Sequence, residues 1–202
     1  MRVGGVVLCG GRSSRMGRPK AWLPFHGELM LPRVVRLLSE VVDPIVVAAA
    51  GQELPLLPQG VAVVRDEVEG RGPLQGLAAG LKAMSDRAEA AYLSSCDAPL
   101  LRSAFVRRLA ELIGDALVCV PFIGEYCHPL SALYRVEISE VVDRQLAANR
   151  LSLLSLFAAV PTRVVQAAEL ADVDPLLQTL RNVNTPEEYE AALHAASAET
   201  GT

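Results

Sequence analysis

The feature that most constrains the fold of this chain is its alternation of short apolar runs with stretches of helical periodicity. The apolar runs that predict strands span residues 3–8, 45–50, 61–64, 91–96, 116–121 and 130–134. Apolar residues recur at helical spacing over residues 31–42, 74–85, 105–114 and 136–148. Strands and helices that alternate in this way form a mostly parallel sheet with helices on both faces. The pattern therefore predicts a three-layer α/β/α fold that binds its ligand at the carboxyl ends of strands.

The composition fits one domain. The chain has 202 residues, of which 51% are hydrophobic, enough to bury a full core. We find no internal repeat, low-complexity segment or linker, so residues 1–202 are predicted to form a single domain. The four cysteines contain no CxxC pair, which favours reduced thiols and a cytoplasmic protein. No apolar run approaches the roughly 18 residues of a membrane-spanning helix, so we expect no membrane partner.

The charge is distributed unevenly along the chain. The first 27 residues carry five of the 19 Lys and Arg residues and no acid, whereas the remainder carries 14 cations against 23 acids. Four of the early cations fall within residues 12–20. A basic loop on an otherwise acidic protein attracts an anion locally, whereas a nucleic-acid-binding protein usually spreads its positive charge over a face. We therefore expect a small anionic ligand and no nucleic acid.

The basic loop follows the first predicted strand and has two adjacent glycines, Gly10 and Gly11. It matches neither the dinucleotide fingerprint nor the P-loop, because their glycines and lysine stand at other spacings. Consecutive backbone N–H groups at such glycines can still form an anion-binding nest. The side chains that add donors or positive charge in this loop, which we expect to be exposed, are Ser13, Ser14, Arg15, Arg18 and Lys20. The alternative is a solvated basic loop whose glycines serve only its turns.

Two acidic residues follow predicted strands. Asp97 stands after the strand at residues 91–96 and could bind a hard cation such as Mg²⁺, or could simply cap a helix. Asp66 precedes a glycine-rich turn, where an acidic residue is common without any function. Trp22, which follows the basic loop, is most simply a core residue. From these residues alone, the choice between a functional and a structural role stays open for both acidic residues.

Longer stretches of the sequence resemble a known group of enzymes. The segment LCGGRSSRMGRPKAWLPFHGELML (8–31) resembles the signature loop of nucleotidyltransferases with a glycosyltransferase-A-like Rossmann fold. Within that superfamily the chain is most similar to the molybdenum cofactor guanylyltransferase family. The stretches that agree in order and spacing are RDEVEGRGPLQGLAAGL (65–81), SSCDAPLL (94–101), HPLSALY (128–134) and RNVNTPEEYEAAL (181–193). The resemblance spans nearly the whole chain.

The resemblance implies transfer of GMP from GTP to the phosphate of molybdopterin, free or carrying molybdenum, with release of pyrophosphate. It implies Mg²⁺ as cofactor, bound by Asp97, and Arg15, Lys20 and Asp97 as catalytic residues. The nucleotide-binding residues that it implies lie in the N-terminal part: Leu8, Cys9, Gly10, Gly11, Ser13, Arg15, Lys20, Asp66, Gly76 and Asp97. A molybdenum-insertion protein or a molybdoenzyme-delivery protein is a further partner that it suggests.

The acceptor is expected to bind the C-terminal part of the chain. Asn182 and Asn184 would face the same way on an extended segment, and two amides suit the hydrogen-bonding edge of a pterin. The alternative is turn chemistry before a helix, for which Thr185, Pro186 and Glu188 form a capping-box pattern. His128 is either an acceptor-binding or a structural histidine, and the resemblance suggests that Arg150 meets the acceptor phosphate. Cys127 and His128 lack a second pair at metal spacing, which argues against zinc.

Two other functions stay open. One is transfer of CMP or another nucleotide to a different phosphorylated acceptor. The other is a nucleotide-binding or sensing module without catalysis, since a fold alone does not fix an activity. One departure bears on the choice of base, because Ala48 stands where relatives commonly have an asparagine that helps to hold the nucleotide. Magnesium-dependent release of pyrophosphate in the presence of an acceptor separates the enzyme from the sensor.

Overall fold

The computed structural model describes residues 1–10, 16–65 and 70–200 of the chain. In chain order, the strands are β1 (Val3–Cys9), β2 (Pro24–Phe25), β3 (Glu28–Leu29), β4 (Ile45–Ala49), β5 (Ala62–Arg65), β6 (Ala90–Ser95), β7 (Val118–Ile123), β8 (Tyr126–Cys127), β9 (Ala132–Arg135) and β10 (Thr162–Gln166). The α-helices are α1 (Met30–Ser39), α2 (Gly72–Met84), α3 (Ser103–Leu112), α4 (Ser139–Ala147), α5 (Leu154–Phe157) and α6 (Pro186–Thr200). A short 3₁₀ helix at Lys20–Trp22 follows the basic loop.

The described strands form one large sheet and a small hairpin. The order in the large sheet is β10-β7-β9-β6-β1-β4-β5, with β8 paired to β7, and β2 pairs with β3 in the hairpin. The strands from β6 through β1 and β4 to β5 run parallel, whereas β9 runs antiparallel to both β6 and β7. The predicted mostly parallel sheet is confirmed.

Helices cover both faces of the sheet, which explains why its central strands are apolar throughout. Along β1, Val7 and Cys9 point into a core formed with α1 and α3. The alternate residue Val6 points into a second core, formed with α2, α4 and α5. Because β4 and β6 are buried at every position, they appear in the sequence as continuous apolar runs. The predicted three-layer arrangement is confirmed.

Helix α2 packs very closely on β1. A Cβ atom at Gly76 would lie 2.6 Å from Cδ2 of Leu8, and one at Gly80 would lie 2.5 Å from Cγ2 of Val6. A larger residue at Gly80 would collide with the β-branched Val6, and one at Gly76 would force the Leu8 side chain to move. The two glycines thus set the distance between α2 and the carboxyl end of β1, where the ligand site of such a fold lies.

Helix α6 begins as the capping box predicts. The Glu188 carboxylate accepts a hydrogen bond from the Thr185 N–H at 3.1 Å, and the Thr185 hydroxyl accepts one from the Glu188 N–H at 3.2 Å. The helix packs on the hairpin, with Tyr189 edge-on to Phe25 at a centroid distance of 6.4 Å. A third, small core beneath it includes Leu100 and Val183.

Trp22 does not lie in the core. Its side chain is 40% exposed, and its Nε1 donates to the Glu53 carbonyl at 3.2 Å. The prediction of a core tryptophan was wrong, because the neighbouring Ala21 takes the buried position in the 3₁₀ helix. In the part of the chain that the structure describes, no helix combines the length and the apolarity needed to cross a membrane.

Candidate active site

A cavity of about 840 Å³ opens at the carboxyl ends of β1, β4 and β6 and at the start of α2. This is the edge at which the strand pattern predicts a ligand. Its lining residues are Leu8, Cys9, Gly10, Ala48, Ala50, Gln52, Gly70, Gly72, Pro73, Gly76, Ser95, Cys96, Asp97, Leu130, Asn182 and Asn184. Both halves of the chain therefore contribute to one cavity.

Three polar side chains meet at one side of the cavity. The Lys20 ammonium donates to Oδ2 of Asp97 at 2.6 Å and to Oδ1 of Asn184 at 2.8 Å. The Lys20 and Asp97 side chains are only 16% and 13% exposed. We call these residues the Asp97 cluster. The exposed position predicted for Lys20 was wrong, because the 3₁₀ helix turns its side chain inward onto Asp97.

The chain fixes Asp97 from several directions. The Ser95 hydroxyl donates to Oδ1 of Asp97, and the Asp97 carbonyl accepts the Val183 N–H at 2.9 Å. The second bond ties the loop after β6 to the segment that carries Asn182 and Asn184. Helix α3 begins only at Ser103, with Arg102 before it, so the helix-cap alternative for Asp97 was wrong.

Two arginines brace the same region from outside the cavity. Arg33 of α1 donates through Nε to the Pro99 carbonyl at 2.8 Å and stacks over the Phe25 ring at 4.8 Å. Arg102 lies beside the fully buried Asp174, with 3.4 Å between Nε and Oδ1. Asp174 also accepts the N–H groups of residues 178 and 179 at 2.9 Å each. These contacts hold the chain just after Asp97 and just ahead of Asn182.

A pair of cysteines forms part of the cavity floor. Gln52 donates through Nε2 to the Cys9 carbonyl at 2.5 Å and to its Sγ at 3.2 Å. A hydrogen bond from the Cys96 thiol lowers the pKa of the Cys9 thiol, and that same bond raises the pKa of Cys96. Proton donors thus surround the Cys9 sulfur on two sides.

Another part of the cavity lining is apolar. Leu8, Ala48 and Gly76 lie together there, since a Cβ at Gly76 would be 3.5 Å from that of Ala48. Pro73 and Leu130 extend this wall. A flat ring fits such a surface through dispersion and burial, while a charged group belongs at the Asp97 cluster. The cavity therefore suits a ligand with one flat end and one anionic end.

The Asp97 cluster offers a suitable donor set for a divalent cation. Carboxylate and amide oxygens are the ligands preferred by Mg²⁺ and Mn²⁺, and the Lys20 ammonium shows that these oxygens accommodate a positive charge. Residues 1–10, 16–65 and 70–200 contain no group of three or more His, Cys, Asp or Glu that could hold a metal ion. A metal here would therefore need further ligands from a substrate or water.

The structure brings most of the predicted site residues together. Those at the cavity or in the Asp97 cluster are Leu8, Cys9, Gly10, Lys20, Gly76, Asp97, Asn182 and Asn184. Gly11, Ser13, Arg15 and Asp66 lie outside the described residues. His128 and Arg150 are not among the residues that line the cavity; Arg150 is exposed, and burial lowers the pKa of His128.

Sequence reasoning missed several residues of the cavity. Gln52 is polar and lies just past the carboxyl end of β4, which is the one signal that could have found it. Ser95 has the same signal at the end of β6. Leu130 has none, because it enters the cavity wall from a 3₁₀ turn before β9.

A three-layer α/β fold with glycines, a lysine–aspartate pair and a flat apolar wall at one sheet edge defines a nucleotide-binding α/β protein. The comparison with protein families makes the class specific. The chain belongs to the family of the MobA-like NTP transferase domain, which matches residues 5–189. It is therefore a nucleotidyltransferase.

Relatives match the sequence of this chain over nearly their whole length. A probable molybdenum cofactor guanylyltransferase from Mycobacterium avium is 36% identical over 201 residues, covering 96% of this chain and 97% of the relative. A molybdenum cofactor guanylyltransferase from Desulfosudis oleivorans is 34% identical over 198 residues, covering 97% and 96%.

Solved structures share the fold. The molybdopterin-guanine dinucleotide biosynthesis protein A of Archaeoglobus fulgidus superposes with a TM-score of 0.78 at 20% identity, covering 98% of this chain and all of that one. Rv0371c of Mycobacterium tuberculosis, solved in complex with manganese, superposes with a TM-score of 0.66 at 19% identity, covering 96% and 99%.

Proposed function

We propose that this enzyme transfers GMP from GTP to the terminal phosphate of molybdopterin and releases pyrophosphate. The observation that carries the proposal is the Asp97 cluster, which sets a lysine, a carboxylate and an amide beside a flat apolar wall in one cavity. The names of the relatives that match the whole chain support the same reaction. The cytoplasm, where GTP is available, is the compartment that we propose.

The reaction needs charge neutralisation and positioning more than proton transfer. The acceptor phosphate is already a nucleophile near neutral pH, so no general base is required. The barrier arises from the approach of two anions and from the charge that grows on the departing pyrophosphate. Preorganised donors and cations lower such a barrier because they need not reorganise during the reaction.

Lys20 is the cation that we assign to the β- and γ-phosphates. Its ammonium is held at the cavity by Asp97 and Asn184, and a triphosphate entering there offers it stronger acceptors. The Gly10 backbone would approach the phosphates from the end of β1. Gly11, Ser13 and Arg15 belong to the same proposed phosphate site.

Mg²⁺ is the metal that we propose, held by the carboxylate of Asp97 and the amide oxygen of Asn184. When bound, it would supply charge to the phosphate oxygens and fix their orientation. Asp97 keeps its own orientation through the Ser95 hydroxyl and the Val183 amide. These contacts leave the carboxylate able to exchange the Lys20 ammonium for another cation without moving its backbone.

The apolar wall would take the guanine base. Leu8, Ala48 and Gly76 supply the apolar surface, and Gln52 is a polar side chain of the same cavity. Asp66 lies beyond β5 and is proposed as a further nucleotide contact. A site that hydrogen-bonds guanine rejects adenine, because the donor and the acceptor on the pairing edge are exchanged.

Asn182 is proposed to bind the pterin, and Asn184 to link the pterin and phosphate regions because it touches Lys20. The sequence separation of these asparagines from the glycine loop suggested a separate acceptor pocket. Since they line the same cavity as Gly10, acceptor and nucleotide would meet there. His128 and Arg150 stay proposals for the outer part of the acceptor site, which would have to extend beyond the cavity.

The test is a screen of GTP, CTP, ATP and UTP for pyrophosphate release with purified molybdopterin and Mg²⁺. We expect release with GTP, dependent on both the acceptor and the metal. Release with CTP instead would assign a cytidylyl transfer on the same fold. Nucleotide binding without release, with every acceptor tested, would make the protein a sensor and overturn the proposal.

A further inference from the structure

Cys9 and Cys96 occupy adjacent positions on neighbouring strands. The parallel register pairs Leu8 of β1 with Ser95 of β6, so the next position on each chain is a cysteine. The Cys96 N–H donates to the Leu8 carbonyl at 2.9 Å, which continues the ladder to this position. Both side chains point into the same core, beneath α1 and α3.

The pair also lies at the cavity. Cys9 is 2% exposed and Cys96 is 5% exposed, yet both line the cavity floor, so a small molecule in the cavity lies against them. Cys119, by contrast, is fully buried in the same core and is not among the cavity-lining residues. The Gln52 amide keeps the Cys9 sulfur in place through its 3.2 Å contact.

We propose that Cys9 and Cys96 are a redox modification site, at which hydrogen peroxide joins them in a reversible disulfide. Neighbouring strands lie about 4.8 Å apart. Disulfides form between residues whose Cα atoms are about 4.4–6.8 Å apart. Two cysteines in register on one face of adjacent strands meet that requirement while the strands stay paired.

The chemistry needs only peroxide as oxidant. The Cys9 sulfur attacks one oxygen of hydrogen peroxide, the O–O bond breaks, and a sulfenic acid and one water result once the thiol proton has been transferred. The Cys96 sulfur then attacks the sulfur of that sulfenic acid, its thiol proton joins the departing hydroxide, and a second water leaves. Two thiols are oxidised to one disulfide, and one peroxide is reduced to two waters.

Closing this bond should disturb the site. A disulfide holds its two sulfurs at about 2.05 Å, much closer than the sulfurs of two thiols that only touch. Cys9 precedes Gly10 at the end of β1, and Cys96 precedes Asp97, the proposed metal ligand. The contraction therefore displaces both Gly10 and Asp97. Displacements of about 1 Å can cost a hundredfold in rate. This effect on activity rests on the proposed function, whereas formation of the disulfide does not.

The experiment treats the reduced full-length protein with hydrogen peroxide, blocks the remaining thiols with iodoacetamide, and maps the peptides by mass spectrometry. We expect a cross-link between the peptides that contain Cys9 and Cys96, with a loss of about 2 Da for the two hydrogens removed. GTP affinity, measured by calorimetry, should fall about tenfold or more and return after dithiothreitol. Each variant is compared with its own untreated sample.

Cys96→Ser is the test variant, with Cys127→Ser as the matched control at a cysteine outside the cavity lining. We expect Cys96→Ser to lose the cross-link and the dithiothreitol-reversible fall in affinity, and Cys127→Ser to keep both. If Cys96→Ser does not fold, Cys96→Ala gives the same comparison. A cross-link that involves other cysteines, or none, would overturn the proposal. If the cross-link forms but the reduced protein binds no GTP, the redox site stands and the proposed function fails.

Discussion

Lys20 and Asp97 hold each other at 2.6 Å in a partly buried place, where each charge would be costly without a partner. The ion pair therefore serves two purposes. It stabilises the protein when no ligand is bound, and in the proposed function it keeps the ammonium at the cavity for an incoming phosphate. The function and the stability of these residues are thus linked.

Lys20→Met should lower kcat/KM for nucleotidyl transfer because one preorganised donor is lost. The expected loss of transition-state stabilisation is about 2–4 kcal/mol. It should also lower the melting temperature, because Asp97 loses its ion-pair partner. Steady-state kinetics and thermal melts measure the two effects. The control is Lys82→Met on α2, whose exposed side chain should leave both unchanged. Near-normal kcat/KM in the Lys20 variant would rule out its role at the phosphates.

Gly10→Ala should weaken GTP binding. A Cβ at Gly10 would lie 2.9 Å from the Cβ of Ala50, so the strand end has to shift. The double variant Gly10→Ala with Ala50→Gly removes that clash. If it restores both the melting temperature and the affinity for GTP measured by calorimetry, the packing of the strand ends was the cause. We expect it to restore the melting temperature alone, because the backbone at Gly10 faces the phosphates in the proposed site.

At the scale of elements, helix α1 positions the loop that carries Asp97. Arg33 reaches the Pro99 carbonyl at 2.8 Å and also pairs with Glu28 at 3.0 Å. Arg36, one turn further along, pairs with Glu28 at 2.8 Å and with Glu40. The two arginines share a partner, and Arg33 alone of the two bonds Pro99. They therefore form a matched pair for testing whether α1 acts on the site.

Arg33→Gln should lower kcat/KM about tenfold, because the Asp97 loop loses an anchor and its carboxylate spends less time in position. Arg36→Gln should change kcat/KM by less than about twofold while costing similar stability. Kinetics of both variants, with thermal melts alongside, make the comparison. Equal effects of the two variants on kcat/KM would contradict a positioning role for Arg33.

The pairing of Glu28 with Arg33 and Arg36 predicts that the stability of the protein depends on pH. The hydrogen bond from Arg36, with the charges of Arg36 and Arg33, lowers the pKa of Glu28 below its ordinary value of 4.5. A carboxyl with a lowered pKa adds stability above that value and loses it as the pH falls through the folded-state pKa. Glu28→Gln should therefore be less stable than the parent at pH 7, by a difference that shrinks below pH 4.5. Thermal melts from pH 7 to pH 3 test this, and a difference independent of pH would contradict it.

Sequence reasoning predicted best the strands with continuous apolar runs and the helices with apolar residues at helical spacing. Strands β1, β4 and β6 and helices α1 and α2 agree with their predicted ranges to within a few residues. Strand β10 was missed because it forms an edge of the sheet and buries Val165 alone among its five residues. The two-residue strands and α5 are too short to carry a periodic signal.

At the scale of the whole molecule, the site joins segments that lie far apart in sequence. Lys20 and Asn184 meet at 2.8 Å across a separation of 164 residues, because the Val183 amide binds the Asp97 carbonyl. The sequence motifs predicted which residues belong to a site. They could not predict that the asparagines touch the lysine, since neither periodicity nor spacing reports contacts between loops. For the same reason, the sequence could not show that Gln52 contacts Cys9.

We propose that the Asp97 cluster carries out GMP transfer, and the fate of the α-phosphate tests this role most directly. The enzyme is incubated with molybdopterin, Mg²⁺ and GTP labelled at either the α- or the γ-phosphate, and the products are separated. We expect the α label to enter a pterin–guanine dinucleotide, the γ label to leave in pyrophosphate, and Asp97→Asn to abolish both. Retention of both labels in unreacted GTP, or a dinucleotide formed equally well by Asp97→Asn, would contradict it.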